Sequence, residues 1–172
     1  GLLKSAIRNE NPVIFLEHKR TYRLVRGEVP EEEYTIPIGK ADIKVEGNDV
    51  TVITYGLMLH HCIEAAEMAT DEEISVEIVD LRTIRPLDED TILKSVKKTG
   101  KALIIHEDTK AGGIGGEVAA IISENAFDYL DGPVTRLAGP EVPAMPFSPT
   151  LESEFLIDAD EILEAILKLA TY

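Results

Sequence analysis

Charged side chains directly follow an apolar run in the segment SVEIVDLRTIRPLDEDTI, residues 75–92. Asp80, Arg82 and Arg85 are candidate functional or interface groups, because open α/β sheets place such groups at the carboxyl ends of their strands. His106 follows a second apolar run and could act as a general acid or base. The alternatives are structural: Asp80 and Arg82 would pair to finish a buried strand, and His106 would be a hydrogen-bonded strand end.

Two short motifs invite a ligand-binding interpretation that their spacing does not support. The glycine-rich stretch AGGIGGE (111–117) lies between a strand and a helix, but the third glycine of a dinucleotide fingerprint starting at Gly113 would fall on Val118. Glycines that permit a tight turn and close helix packing are the better interpretation. Adjacent helical residues point about 100° apart, so the run HHC (60–62) cannot chelate a metal without an outside ligand.

The periodicity of the apolar residues predicts the elements that position these side chains. From about residue 41, short runs rich in Val, Ile and Leu alternate with segments of helical length. This alternation indicates βαβ crossovers, so the expected fold class is α/β: a three-layer α/β/α domain with a mainly parallel sheet. The predicted strands are 50–55, 74–81, 102–107 and 134–138, and the predicted helices are 56–69, 88–100, 115–127 and 158–170.

The first forty residues do not follow this alternation. An apolar stripe at 2–7 predicts the last turns of a helix, and VIFL (13–16) predicts a short strand. One helix end and one strand cannot form a core, so we expect 1–16 to be the tail of an upstream domain. The segment 17–40 is polar and changes from basic to acidic, which is typical of a linker. Residues 41–172 form the predicted domain.

Composition and charge exclude several classes of function. The chain carries 32 acidic and 17 basic side chains and a net charge of −15, which argues against nucleic-acid binding because phosphates require a basic surface. Just over half of the acidic excess lies from Glu124 onward, which permits a basic protein partner. No apolar run approaches the ~18 residues of a membrane span.

Cys62 is the one cysteine, so we expect a reducing compartment: the cytoplasm, or the mitochondrial matrix in a eukaryote.

Several segments, matched in order along the whole chain, resemble the C-terminal domain of transketolase-like enzymes. They are GLLKSAIRNENPVIFLEHK, IPIGKADI, DVTVITYG, EIVDLRTIRPLD and LAGPEVPAMPF. Among these enzymes, the chain resembles the beta subunits of the thiamine-diphosphate-dependent, decarboxylating component of 2-oxo acid dehydrogenases. FLEHKRTYRLVRGEVP and AGPEVPAMPFSP are most similar to the branched-chain (2-oxoisovalerate) subunits, and the pyruvate and acetoin subunits are the alternatives.

The resemblance implies an α2β2 assembly in which thiamine diphosphate and its divalent metal lie between an alpha and a beta subunit. Such an assembly decarboxylates a 2-oxo acid and passes the acyl group to a lipoyl group on an acyltransferase component. The implied partners of this chain are an alpha subunit, a second beta subunit and that acyltransferase. The resemblance assigns no catalytic or cofactor-binding residue to this chain, so we expect the chain alone to be inactive.

The resemblance also implies a site for a monovalent cation, usually potassium, in SAIRNENP. The implied positions are Ala6, Ile7, Asn9 and Asn11. The end of a helix presents unpaired carbonyl groups, which suit such a cation. Asn9 stands where the family carries Asp, which removes a charge from the site. The alternative is that Asn9 and Asn11 simply end a helix.

Through the same resemblance, the acidic C-terminal region is a candidate surface for a basic subunit-binding domain of the acyltransferase. The candidates are Glu124 and Asp128, expected one turn apart on the helix 115–127, with Asp131 and the terminal carboxylate of Tyr172. Opposed potentials would mainly raise the association rate and the specificity. A solvated acidic surface is the alternative.

For the chain as a whole, the alternatives are a flavodoxin-like binding or assembly module and the C-terminal domain of a transketolase or deoxyxylulose-phosphate synthase.

Overall fold

The computed structural model describes all 172 residues. The four predicted strands and their four helices are confirmed, with ends that shift by at most two residues. None of the helices has both the length and the hydropathy that crossing a membrane requires. The strands are β1 (Asp42–Val45), β2 (Val50–Thr54), β3 (Val76–Asp80), β4 (Ala102–Thr109) and β5 (Thr135–Gly139). The helices are α1 (Leu2–Arg8), α2 (Thr21–Leu24), α3 (Met58–Thr70), α4 (Glu89–Thr99), α5 (Gly115–Asn125), α6 (Pro149–Ser153) and α7 (Ala159–Ala170).

A single five-stranded sheet carries the fold, in the order β1-β3-β2-β4-β5. β2 pairs in parallel with both β3 and β4, and β4 pairs in parallel with β5. β1 runs antiparallel to β3, and its register shifts between Ile43 and Val45. The sheet is therefore mainly parallel, as predicted, and the carboxyl ends of its four parallel strands meet at one edge, which we call the carboxyl edge.

Helices cover both faces of the sheet, as strands that are apolar on both sides require. On one face, α3 and α7 pack over Val52 and Ile78, and on the other face α4 and α5 pack over Ile53 and Val79. Because successive residues of a strand point to opposite faces, neighbours such as Val52 and Ile53 belong to different cores. The three-layer α/β/α class is confirmed.

The helix α4 begins and ends where the sequence predicts. The Asp88 carboxylate accepts hydrogen bonds from the Thr91 hydroxyl at 2.9 Å and from the backbone N–H of Ala41 at 3.0 Å, so the cap also holds the chain that leads into β1. Burial alone would raise the pKa of Asp88, but these hydrogen bonds and nearby Lys40 hold it below its usual value. Gly100 ends the helix with a φ of 70°, a left-handed conformation that glycine adopts at little steric cost.

A charged residue lies in the middle of β3. Glu77 is fully buried, and its carboxylate pairs with the ammonium group of Lys98 on α4. Lys98 also reaches Glu46, at 3.2 Å. Desolvation acts to lower the pKa of Lys98, but the hydrogen bonds to Glu77 and Glu46 outweigh it and raise that pKa. Because a buried charge without a partner is strongly destabilising, this pair fastens α4 to the sheet.

The strand predicted at 13–16 is wrong. These residues pair with no other strand, and the residues Ile14 and Leu16 are 87% and 88% exposed. A strand requires a neighbour to satisfy its backbone hydrogen bonds, and no segment of this chain takes that place. The assignment of 1–16 to an upstream domain, and the boundaries at 17 and 41, stay predictions.

The predicted end of α5 is also wrong, and with it the placement of Asp128. The helix ends at Asn125, and Asp128 lies in a short 3-10 turn, Phe127–Tyr129. The chain leaves the helix at Ala126, whose φ is −136° and whose side chain is buried in the core under α5. Turning inward at Ala126 buries its methyl group, and this takes Asp128 off the face that carries Glu124.

Candidate functional site at the carboxyl edge of the sheet

Asp80 and Arg82 lie together at the carboxyl end of β3. Arg82 has a φ of 55°, and its backbone N–H donates to Asp80 Oδ1 at 3.2 Å. Its guanidinium group turns back over the sheet and donates to Asp42 Oδ2 of β1 at 2.5 Å, while Nε stays 3.9 Å from Asp80 Oδ2. Burial raises the pKa of Asp80, and the Arg82 N–H opposes that shift. The geometry matches the structural alternative, with Asp42 as a partner that sequence reasoning missed.

Arg85, in contrast, is exposed on the loop between β3 and α4. Thr83 holds this loop in place: its hydroxyl donates to the carbonyl of Pro86 and accepts from the N–H of Gly39, both at 3.0 Å. The loop is thereby fixed to the segment that precedes β1. Of the two arginines, Arg85 is the one that is exposed, whereas the guanidinium group of Arg82 pairs within the chain.

A largely apolar groove of about 690 Å³ joins this loop to the N-terminal segment. Exposed apolar surfaces with a polar rim are typical of sites that contact another protein or a ligand. The groove brings together two sets of residues that the sequence analysis treated separately: the cation candidates except Ile7, and the two arginines. Its lining includes Leu2, Ala6, Asn9, Asn11, Val13, Ile14, Phe15, Leu16, Ile38, Tyr55, Arg82, Ile84, Arg85 and Pro86.

The candidate cation ligands Ala6, Ile7, Asn9 and Asn11 lie at the end of α1. The backbone N–H of Asn9 donates to the Ala6 carbonyl at 3.3 Å. Asn9 Oδ1 accepts from the backbone N–H of Asn11 at 2.9 Å and from its Nδ2 at 3.3 Å. Because both lone pairs of this oxygen are engaged, a potassium ion could bind it only after the Asn11 side chain turned away. The arrangement ends a helix, and the cation site stays a prediction.

His106 is fully buried in the carboxyl-terminal half of β4. Its Nδ1 lies 3.1 Å from the carbonyl oxygen of Asp108, and its Nε2 is buried without a hydrogen-bond partner. Burial lowers the pKa of His106, Asp108 opposes the shift and Arg136 adds to it. A Cβ atom on Gly113 or Gly115 would lie 2.5 Å from an atom of the ring. The glycines therefore serve close packing, as predicted, and the ring fills the space that a diphosphate would need.

A contact that sequence reasoning missed ties the linker to this edge. His18 Nε2 lies 3.1 Å from Glu107 Oε2, and both side chains are about one-third exposed. Burial raises the pKa of Tyr55, and the charges of Asp108 and Glu107 add to that shift. The sequence showed His18 only as the start of a basic run, because nothing along the chain links it to a residue as distant as Glu107.

The candidate partner-binding residues lie at the opposite, amino edge of the sheet. The backbone N–H of Asp131 donates to the carbonyl of Gly100 at 2.7 Å, just before β4 begins. Tyr172 packs beside the next residue of the chain after Asp131. The structure therefore brings Asp131 and Tyr172 together, with Glu124 and Asp128 on the segment that leads to them. All four side chains are exposed.

The metal-ligating residue types do not form a site in this chain. No group of three or more His, Cys, Asp or Glu side chains is placed to hold a metal ion. The HHC run is divided, because Cys62 points into the core whereas His60 and His61 are partly exposed. Burial raises the pKa of the Cys62 thiol to about 12, so this sulfur stays protonated. The residues present therefore do not fit thiamine diphosphate with its divalent metal.

These features define a class of protein: a three-layer α/β/α domain whose carboxyl edge carries ion pairs, a buried histidine and an apolar groove in place of a nucleotide site. The chain belongs to the transketolase C-terminal domain family. The model of that family, described as "Transketolase, C-terminal domain", matches residues 39–162.

Two curated proteins of Bacillus subtilis (strain 168) are similar to the whole chain. The 2-oxoisovalerate dehydrogenase subunit beta is 54% identical over 172 residues, which is 100% of this chain and 53% of that protein. The pyruvate dehydrogenase E1 component subunit beta is 49% identical over 172 residues, which is 100% of this chain and 52% of that protein. The chain thus spans about half the length of the curated relatives it matches.

A solved structure supports the fold independently. A split-gene transketolase, described as an inactive beta4 tetramer, superposes on this chain with a TM-score of 0.72 at 27% sequence identity. The likeness covers 84% of this chain and 46% of that chain. The mainly parallel five-stranded sheet with helices on both faces is therefore the transketolase C-terminal fold.

Proposed function

We propose that this chain forms the C-terminal portion of the beta subunit of a branched-chain 2-oxo acid dehydrogenase. In that subunit it serves the assembly of beta subunits and the binding of partners. One observation carries the proposal: the 54% identity to 2-oxoisovalerate dehydrogenase subunit beta extends over all 172 residues. It therefore includes residues 1–38, which precede the family match at 39–162. The match beyond the shared domain favours the 2-oxo acid dehydrogenase beta subunits, and the higher identity, 54% against 49%, favours the branched-chain subunit over the pyruvate subunit.

The proposed reaction is the oxidative decarboxylation of 2-oxoisovalerate-type acids with transfer of the acyl group to lipoyl. Pyruvate is the alternative substrate, since the pyruvate dehydrogenase subunit is 49% identical over the same 172 residues. An acetoin-dehydrogenase subunit belongs to the same alternative. These alternatives differ in the acyl chain of the substrate, so the experiment compares two substrates that differ in that chain.

The test uses the full-length beta chain that contains these residues, purified with its alpha subunit and supplied with thiamine diphosphate and magnesium. We expect kcat/KM for decarboxylation to be at least about tenfold higher with 2-oxoisovalerate than with pyruvate, because a few methylene groups in an apolar pocket are worth about 1–3 kcal/mol. A preference for pyruvate would replace the branched-chain assignment. Failure to decarboxylate either acid would remove the whole proposal.

Thiamine diphosphate would supply the decarboxylation chemistry, and the proposal places its site outside this chain. The glycine turn is filled by His106, and no metal-ligating cluster is present. The cofactor and its divalent metal would therefore be held by the alpha subunit and by parts of the beta subunit outside these residues. We expect the 172-residue chain alone to be inactive, and adding the alpha subunit to it should not restore activity.

The carboxyl edge and the amino edge of the sheet suit different partners in this assembly. The groove and Arg85 at the carboxyl edge are the proposed contact with the rest of the beta subunit, a second beta subunit and the alpha subunit. The exposed acids Glu124, Asp128 and Asp131, with the carboxylate of Tyr172, are the proposed contact with a basic domain of the lipoyl acyltransferase. A reducing compartment, the bacterial cytoplasm or the mitochondrial matrix, is proposed on the basis of the buried thiol of Cys62.

A further inference from the structure

The hydrogen bond of His106 fixes which ring nitrogen carries the proton. Nδ1 lies 3.1 Å from the carbonyl oxygen of Asp108. Because a carbonyl oxygen can only accept, Nδ1 is the donor and carries hydrogen. In the neutral ring, Nε2 then presents a lone pair. This atom is buried, and no hydrogen-bond donor or acceptor meets it.

The first turn of α5 faces that lone pair. A Cβ atom on Gly115, the first residue of α5, would lie 2.5 Å from Nε2, which shows how closely the backbone of the helix start approaches the ring. Ile114 occupies the N-cap position and offers no side-chain hydrogen bond. Unpaired N–H groups give a helix N-terminus a partial positive charge. A lone pair is favourable in that position, and a second N–H would be repelled there.

We propose that neutral His106 is an acid-sensitive lock, which holds the turn 109–114 and the first turn of α5 in place and releases them when Nε2 is protonated. A protonated Nε2 would be a buried donor without an acceptor, beside N–H groups of the same polarity. Lys110, Ala111 and Gly112 of this turn are exposed, and Arg136 Nη1 of β5 donates a hydrogen bond to the carbonyl of Lys110, at 2.9 Å.

The charged groups around the ring do not compensate for a second proton. On β4, the charge of Asp108 favours protonation, while Arg136 on β5 disfavours it, and burial is the largest influence and lowers the pKa of His106. Glu117 lies in the first turn of α5 but is exposed. The pKa of His106 is lowered in the folded protein. The stabilisation that neutral His106 gives the fold is therefore complete above the ordinary histidine pKa of ~6.5, and it is lost as the pH falls below that value.

The test measures backbone amide exchange by mass spectrometry on the full-length chain at pH 7.5 and pH 5.0, after correction for the intrinsic rates. We expect protection of the peptide that covers 109–118 to fall several-fold at the lower pH, because the folded turn disfavours the second proton on His106. Protection of α4 should stay unchanged. His106→Asn cannot titrate, so its protection in this segment should no longer depend on pH.

Two control variants separate His106 from other histidines. His18→Asn removes the partner of Glu107, and His61→Asn removes a histidine of α3; both should keep the pH dependence of the unmodified chain. Exchange at the imidazole C2 carbon gives the pKa of His106 in the unmodified protein, and so does not depend on whether a variant folds. A pKa at or above the ordinary value would overturn the proposal, as would pH dependence that survives in His106→Asn or disappears in His18→Asn.

Discussion

Gly115 and Gly116 are neighbours in the sequence, yet their surroundings place opposite demands on them. A Cβ atom on Gly115 would lie 2.5 Å from Nε2 and 2.8 Å from Cδ2 of the His106 ring. A Cβ atom on Gly116 would meet only Arg136 Nη1, at 3.6 Å, an ordinary contact. The ring has little room to move aside because it is fully buried, in the carboxyl-terminal half of β4. One glycine is thus required by packing, whereas the other occupies a helical position without such a constraint.

This contrast predicts opposite effects of the same substitution. Gly115→Ala should lower the free energy of unfolding by about 1–3 kcal/mol, because an added methyl group in a filled core forces its neighbours to shift. Gly116→Ala should be neutral or should raise that free energy by up to about 1 kcal/mol, since alanine favours the helix. Urea unfolding followed by circular dichroism measures both. Equal stability of the two variants would mean that the ring is not packed as described.

At the scale of elements, the attachment of α4 to β3 depends on a charged pair as well as on apolar packing. Glu77 is fully buried in β3, and Lys98 of α4 reaches it from a position that remains 37% exposed. Other contacts also hold α4: Ile92 and Val96 pack on the same core as Val79, and the Thr99 hydroxyl lies 2.7 Å from the Thr51 hydroxyl of β2. Replacing Lys98 should therefore leave the helix in place, but the Glu77 carboxylate would remain buried without this partner.

Lys98→Met should destabilise the protein by about 2–3 kcal/mol. This is less than the ~3–5 kcal/mol typical of a fully buried pair, because solvent partly screens Lys98. Lys94→Met, on the exposed face of the same helix, should change stability by less than about 0.5 kcal/mol. The double variant Glu77→Gln with Lys98→Met should recover part of the loss, because it removes the uncompensated charge. A loss of the same size in Lys94→Met would contradict this account.

At the scale of the whole molecule, the two edges of the sheet differ in character. The carboxyl edge carries the groove and Arg85, and the amino edge carries exposed carboxylates from the end of α5 to Tyr172. With a net charge of −15, the chain repels anions on average, so a partner for the amino edge has to be basic. The arrangement permits one partner at each edge at the same time.

The proposed acidic contact predicts a position-dependent effect of charge reversal. In the full-length beta chain assembled with its alpha subunit, Asp128→Lys should weaken binding to the acyltransferase component roughly fivefold and should reduce its salt dependence, mainly through a slower association rate. Glu141→Lys changes the net charge equally but lies beyond the carboxyl end of β5, and should leave binding unchanged. Surface plasmon resonance at two salt concentrations measures both variants. Affinity that responds to neither Asp128→Lys nor salt would end the assignment.

The sequence predicted the strands and helices whose apolar periodicity is strong, and missed what depends on distant contacts. β1 escaped prediction because DIKV has little apolar character and is a strand only through pairing with β3. The opposite error occurred at 13–16, where an apolar run lacks a partner. The orientation of the Arg82 side chain was missed for the same reason, because its partner Asp42 belongs to β1. The glycine turn was predicted to serve packing, but its partner, His106, became visible only in three dimensions.

The two outer strands of the sheet differ in how open they are to pairing. β1 has four residues, carries Asp42 and Lys44, and is irregular in register; these are features that block edge-to-edge association. β5 pairs with β4 on one side, and its other side is free of any strand. Edge-to-edge pairing of two such sheets is therefore open only through β5. Such a pair would present only β1 edges outward, so growth into a fibril by strand addition would stop at two molecules.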